Sequence, residues 1–282
     1  MQAIKDYLRN LRHLPPTPRV IPELMRLLNQ PDVESSKVVN MISYEPSLTA
    51  NVLRVSNSAY FGTATPTTDL NEAVTRLGFQ QVYKLVTAAT GARLLGSAQE
   101  AYGLMQGELW KHSVASAIAA QLVARKLGDN ENLVFTAALL HDIGKTILSH
   151  SMTEAYAKLI KESDANGCAV LETESKLFGI NHAEVGGQLL QHWKFAPNIV
   201  AAVWFHHAPK GAGAHQRLAS CVYLGNMIAC FMGHGYGHSA FATRARTEVM
   251  STLNLNSQSI PQFMMEAFEQ IELIDALFSI LN

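Results

Sequence analysis

The string Leu139-Leu140-His141-Asp142-Ile143-Gly144-Lys145 sets an imidazole beside a carboxylate at the end of a stretch, 133–143, that is apolar nearly all round. Such a stretch belongs in a protein interior. An unpaired carboxylate costs several kcal/mol there, so Asp142 needs a cation, a metal or strong hydrogen-bond donors. Metal ligation satisfies both side chains at once, through the neutral imidazole and the ionised carboxylate. A buried hydrogen-bonded His-Asp pair would have the same sequence, so the dipeptide alone leaves both readings open.

His112 lies 29 residues before His141, on a preceding long helix whose antiparallel return can bring the two face to face. His182 stands near the start of a later helix, where Gly186, one turn on, permits close approach of another helix. His206 and His207 end the helix after that. Five histidines and one aspartate on helices of one bundle form a set of borderline ligands suited to Fe, Mn, Zn or Ni, as one divalent ion or two. The alternative is a polar core left from an ancestral enzyme, satisfied by mutual hydrogen bonds and holding no ion. Lys145 reads equally as a phosphate-neutralising group or as a solvated lysine just past a helix end, where the helix dipole favours a cation. His13, His150, His192, His215, His234 and His238 fall outside the pattern, and Trp110, Trp193 and Trp204 read as core aromatics walling the pocket.

The elements that must position these residues are helical. Apolar spacings of three and four recur from end to end, with few period-two stretches, so the fold class is all-α. Leu24, Leu27 and Leu28 form one stripe, and Val114, Ile118 and Leu122 another. Leu14-Pro15-Pro16-Thr17-Pro18 cannot be helical throughout and reads as a rigid connection to a helix starting near Ile21. Glu45-Pro46-Ser47 marks a second break, with Ser47 placed to cap a helix ending around Asn57-Ser58. A turn at Tyr60-Phe61-Gly62 and a Thr/Pro loop precede a helix opening at Asn71 and reaching Gly78, and Gln81 to Leu95 continues. Gly96-Ser97-Ala98 is the expected boundary between an N-terminal bundle, 1–97, and a second helical domain, 98–282. In the latter, helices are expected from Leu104 to Gly128, 133–143, 154–162, 182–193, 198–204, 216–232 and 261–281.

With 282 residues, 48% of them hydrophobic, the chain can bury a substantial core, and a net charge of −1 supplies no basic face for nucleic acid. Lys5, Asp6 and Arg9 occupy what would be the apolar region of a signal peptide, and no segment stays apolar long enough to span a bilayer, so a cytoplasmic protein without membrane association is expected. Cys168, Cys221 and Cys230 lack paired spacing and read as small buried thiols.

The histidine, His-Asp and further-histidine pattern resembles the metal-dependent phosphohydrolase superfamily named for its HD dipeptide. Leu14-Pro15-Pro16-Thr17-Pro18, Glu45-Pro46-Ser47-Leu48-Thr49, Asn57-Ser58-Ala59-Tyr60-Phe61-Gly62 and Ala73-Val74-Thr75-Arg76-Leu77-Gly78 together resemble the HDOD family, a regulatory offshoot of that superfamily, over roughly residues 11 to 235. The resemblance implies a bacterial signalling protein with an N-terminal helical bundle packed on an HD-like bundle. It implies metal ligands at His112, His141, Asp142, His182, His206 and His207, with Asn226 at the position where catalytic relatives carry a last aspartate. Asparagine offers only a neutral carbonyl oxygen, so an ion is held by one charge fewer. His206-His207 is followed by Ala208-Pro209-Lys210, without the glutamate and Gly-Tyr-Pro sequence of the cyclic-di-GMP phosphodiesterase branch.

Two functions follow. The favoured one is a signalling or scaffold module with little or no turnover, presenting a surface to a protein partner, with a nucleotide or phosphate as a candidate pocket ligand. The other is a slow metal-dependent phosphohydrolase or phosphodiesterase acting on a nucleotide or other phosphoester. In that case Asp142 would bridge two ions and Lys145 would neutralise phosphate charge as the second catalytic residue.

Overall fold

A computed structural model describes residues 33–44, 46–58, 66–151, 170–234 and 246–279, together with Glu23, Leu24, Leu27 and Phe61. Among the described residues the chain is helical without a β-strand, and Gln99 and Leu104 make an isolated bridge. The Leu14 to Pro18 connection, the helix start near Ile21, the Tyr60 and Gly62 turn positions and the helix expected at 154–162 lie outside them. No described helix is long and apolar enough to cross a membrane. Among the described residues the helices group into two compact units, one of residues 91–271 and one of residues up to Thr90 together with those from Glu272 onward.

In the unit before Thr90, α1 (Ser35–Ser43) buries Val38, Val39 and Ile42. Helix α2 (Pro46–Ser56) begins at its proline, a first-position residue whose missing amide goes unneeded, so Ser47 lies within the first turn and is not the expected cap. The helix ends where Asn57-Ser58 predicts. The Ser58 hydroxyl donates to the Val55 carbonyl at 2.8 Å, whereas Asn57 reaches across the loop, donating to Thr67 O and accepting from Thr67 N, both at 2.8 Å. Asp69 caps α3 (Leu70–Leu77), accepting from the backbone of Asn71 and Glu72, one residue before the expected start. Gly78, at φ 76°, ends α3 and leads into α4 (Phe79–Leu95).

The unit from Gly91 to Ile271 holds the candidate site. A short 3₁₀ turn, Glu100–Tyr102, is closed by the Gln99 and Leu104 backbones, so Leu104 belongs to this turn and α5 starts later than expected, at Glu108–Leu127. Helix α5 is buried on every face from His112 to Ala124, not only along Val114, Ile118 and Leu122. Its small residues let α11 (Gln216–Ala229) press close: a Cβ on Gly225 would stand 2.5 Å from Ala120 Cβ and from Ser116 O. Helix α6 (Glu131–Leu140), capped by Asn130, is buried from Val134 to Leu140, as its apolar composition requires. Each fully buried leucine there contributes roughly 1.5–3 kcal/mol.

Residues 141–143 turn into α7 (Gly144–Ser151). After α8 (Val170–Phe178) comes α9 (His182–His192), opened by a reciprocal capping box between Asn181 and Glu184. The first residue of α7 is pressed onto the first turn of α9: a Cβ on Gly144 would fall 1.9 Å from His182 O and 2.7 Å from Gly186 N. Only glycine fits, and the close approach read into Gly186 is made against Gly144. Next come α10 (Pro197–Trp204), a 3₁₀ stretch Pro209–His215 and α11, which runs into a π turn, Cys230–His234, in place of the α-helix expected to Met232. Helices α12 (Arg246–Thr252) and α13 (Ser259–Ser279) complete the described residues.

Candidate metal centre

Four imidazoles converge from four elements: His112 in the second turn of α5, His141 at the C-cap of α6, His182 opening α9 and His206 just past α10. Each turns Nδ1 outward. His141 Nδ1 lies 2.6 Å from Ala138 O and His206 Nδ1 2.7 Å from Val203 O, each meeting a carbonyl three residues back at the end of its helix; Ala138 O also accepts from the His141 amide at 3.5 Å. His112 Nδ1 meets His234 O of the π turn at 2.7 Å, and His182 Nδ1 meets Glu174 Oε2 at 2.7 Å. These oxygens only accept, so every Nδ1 carries the proton and donates, and every Nε2 faces inward.

The inward nitrogens surround Asp142, whose two oxygens face two groups. Oδ2 is 3.4 Å from His141 Nε2 and 3.6 Å from His112 Nε2; Oδ1 is 3.3 Å from His182 Nε2 and 3.8 Å from His206 Nε2. His207 joins the second group, with Nε2 2.9 Å from that of His182. The ligand atoms of His112, His141 and Asp142 lie within 4.8 Å of one another, as do those of His182, His206 and His207. His112, His141, Asp142, His182 and His206 are 0 to 3% exposed; His207 is half-buried.

The donor set fits a divalent ion. His112 Nε2 and His141 Nε2 face each other at 3.3 Å with their protons committed elsewhere, the Ser116 hydroxyl standing 3.5 Å from the former. Two lone pairs so placed repel unless a cation lies between them. The spacing is that of neighbouring ligands on a tetrahedral ion with bonds of about 2.0–2.1 Å, roughly 3.3 Å apart. His206 Nε2 is buried, aimed at Asp142, and has no hydrogen-bond partner among the described residues, a vacancy that costs stability unless a ligand fills it.

Electrostatics keep most of these groups in ligand form. Burial, then the neighbouring His141, pushes His112 down to about 3. Burial likewise lowers His141, His206 and His207. For His182 burial is outweighed, chiefly by the Glu174 carboxylate, and the value rises. Burial also works against the Asp142 carboxylate, but His141, Lys145 and His182 hold it well below the ordinary carboxylate range.

Lys145 is not a solvated lysine past a helix end. It stands in the first turn of α7, buried, with Nζ 2.6 Å from Asp142 Oδ2. A cation at a helix N-terminus opposes the dipole, and Asp142 compensates it. Asn226, on α11, accepts from the Cys230 thiol, 3.5 Å from its Oδ1. Trp110 and Trp193 are buried; Trp204 is half-buried, its ring covering Gly187, where a Cβ would meet it at 2.4 Å. His192 is exposed and His215 half-buried, whereas His234 enters the site through its backbone oxygen; His13 and His238 lie outside the described residues.

Sequence reasoning missed Glu174 and Tyr102. Glu174 is fully buried, accepting on Oε2 from His182 Nδ1 and from the His182 backbone at 2.8 Å, and on Oε1 from the Tyr102 hydroxyl at 2.6 Å. The signal was present: Glu174 stands three residues after Leu171 and four before Phe178, a charge on the apolar stripe of α8.

An all-helical bundle closed around a His-Asp centre is the architecture of HD-type domains. Residues 14–209 match the HDOD domain, and the chain belongs to that family. It is 26% identical over 222 residues to an uncharacterized protein of Treponema pallidum (strain Nichols), covering 78% of this chain and 42% of that relative. Over 110 residues, 39% of the chain, it is 27% identical to Ribonuclease Y of Campylobacter jejuni, of which this is 16%. The chain thus spans less than half the length of these curated relatives. Among solved structures, a candidate phosphohydrolase of Shewanella amazonensis SB2B superposes with a TM-score of 0.72 at 25% identity, over 99% of this chain and 98% of that one. An HDOD domain protein of unknown function from Geobacter sulfurreducens gives 0.71 at 22%, over 99% and 95%. A candidate signal transduction protein of Marinobacter aquaeolei VT8 gives 0.76 at 22%, over 100% of this chain and 62% of that one. The last two show the fold alone.

Proposed function

We propose that this protein is a signalling or regulatory output module in which the HD-type pocket holds a divalent transition metal and supports little or no turnover. The observation that carries the reading is the burial of the converging donors, 0 to 3% exposed at His112, His141, Asp142, His182 and His206. A catalytic ion keeps a position open to water or substrate, whereas these five side chains are withdrawn from solvent and His207 alone of the site histidines is half-buried. His112, His141 and Asp142 would hold one ion, His182, His206 and His207 with the other oxygen of Asp142 a second; Asn226 is a neutral candidate ligand. The backbone oxygens behind His112, His141 and His206 and the carboxylate behind His182 fix ring orientation without spending an inward nitrogen. In this role the N-terminal bundle, 1–97, supplies surface for a protein partner, and Tyr44, 85% exposed on it, is a candidate contact.

The second reading, a slow phosphohydrolase or phosphodiesterase acting on a nucleotide or other phosphoester, draws on the two-sided placement of Asp142, which suits a pair of ions, and on the Shewanella relative. A bound ion would supply an activated water and charge stabilisation, and Lys145 would bring its ammonium to the phosphate. Metal analysis of the purified protein and turnover assays on nucleotides and cyclic dinucleotides with added Mn or Fe decide between them. Bound metal without turnover supports the regulatory reading; turnover abolished by Asp142→Ala overturns it.

A further inference from the structure

The two ligand groups are not equivalent, and the groups that make them differ are not ligands. On the side of His112 and His141, Asp142 Oδ2 already accepts from Lys145 Nζ at 2.6 Å, so an ion there shares its one anionic donor with a tethered cation. On the side of His182, His206 and His207, Oδ1 faces inward and a second carboxylate stands behind the ring of His182. Of the four outward Nδ1 contacts, three go to neutral backbone carbonyls and only that of His182 goes to a charged group. Glu174 is itself fixed at both oxygens by the Tyr102 hydroxyl and by the backbone and ring of His182.

Resting on the metal-site reading above, we propose that Glu174 is a positioning residue which, through His182, makes the His182, His206 and His207 group with Asp142 Oδ1 the first to take a divalent ion. A charged acceptor on Nδ1 makes the opposite ring nitrogen a stronger donor and holds the ring's aim, which a neutral carbonyl does less well. It also brings a negative charge to that group, while the other group has the Lys145 ammonium against its shared oxygen.

The test is Zn2+ titration of the full chain, metal-free at the start, by calorimetry, with ring 15N signals of the histidines read by NMR before zinc is added. Glu174→Gln keeps the shape and an acceptor oxygen but removes the charge. The expected result is one tight equivalent in the wild type and a 10- to 100-fold weaker first equivalent in the variant. The ring signals of His182 should move while those of His141 and His206, held by backbone oxygens, stay in place. A merely structural role would lower the melting temperature without selecting His182. Should Glu174→Gln fail to fold, Tyr102→Phe, which removes the donor to Oε1 and keeps the ring, should weaken the first equivalent by a smaller factor and move the same signals. Wild-type binding with unchanged affinity and unmoved His182 signals in the variant overturns this proposal and leaves the metal site standing; a wild type that binds no zinc overturns both.

Discussion

Replacing Gly144 with alanine tests whether the His-Asp turn is held in place by backbone contact with α9. The added Cβ would stand 1.9 Å from His182 O and 2.7 Å from Gly186 N, both backbone atoms with no rotamer to yield. Reaching even 3.0 Å from the carbonyl requires the start of α7 to retreat by at least 1.1 Å. Asp142 is two residues away, and its Oδ1 is 3.3 Å from His182 Nε2. The same retreat opens that gap beyond the roughly 3.3 Å that separates neighbouring ligands of one ion. Forced overpacking of this kind costs about 1–3 kcal/mol, and for a domain of this size each kcal/mol lowers the melting temperature by about 2–4 °C. Gly144→Ala is therefore expected to melt about 2–12 °C below wild type in EDTA, to gain less from added Zn2+ and to carry less metal after purification. Gly186→Ala is the control: its Cβ meets the Val203 side chain at 3.2 Å and Gly144 N at 3.4 Å, a milder crowding. Thermal melts and elemental analysis of both variants decide the matter. A Gly144→Ala protein with wild-type melting and metal content, or one milder than Gly186→Ala, would refute the reasoning.

Lys145→Met leaves the Asp142 carboxylate without its 2.6 Å ammonium partner; breaking a buried pair costs about 3–5 kcal/mol, so the variant should melt well below wild type in EDTA and recover most of the difference with Zn2+. Acid should destabilise the metal-free protein. His112, held at about 3, refuses a proton that the unfolded chain accepts below about 6.5, so its share of stability is lost as pH falls from 6.5 towards 3. The lowered His141, His206 and His207 add to this loss and the raised His182 opposes it; a urea midpoint in EDTA that stays flat or rises between pH 6.5 and 4 would contradict the assignment. Burial pushes the Cys221 thiol up to about 12 and that of Cys230 to about 11. In a Cys168→Ser background neither should react with iodoacetamide at pH 8 until urea unfolds the chain, as mass spectrometry can follow.

How much was legible depended on whether a position's meaning lay in its own side chain. The His-Asp string was readable because an ionisable pair ending an apolar helix demands an explanation, and His112, His182, His206 and His207 are brought to it. Lys145 read equally as a site group or as a solvated lysine because the His141 to Ile143 turn reads as a helix end; Gly144 begins a new helix at once and carries the lysine inward, which removes the second reading. Glu174 was lost because no helix was expected over 170–178, so the apolar stripe on which this charge stands was never drawn. The late start of α5 escaped because Leu104 looks like a helical leucine, and only its pairing with Gln99 assigns it to a turn. The π pitch at Cys230 to His234 was not legible, although Gly233, at φ 83°, marks the place where the helical path breaks.

That turn gives the centre an unusual kind of heritability. The oxygen that steadies His112 belongs to the main chain of residue 234, so any residue there would supply it, and the same is true of positions 138 and 203. At residue 234 substitution can drift without touching the aim of the ring, whereas Ala138 and Val203 are also held by core packing; loss or gain of a single residue in the helices before 138 and 203 would swing the carbonyl about 100° round the helix axis. Length, rather than spelling, is what descent must preserve along these segments.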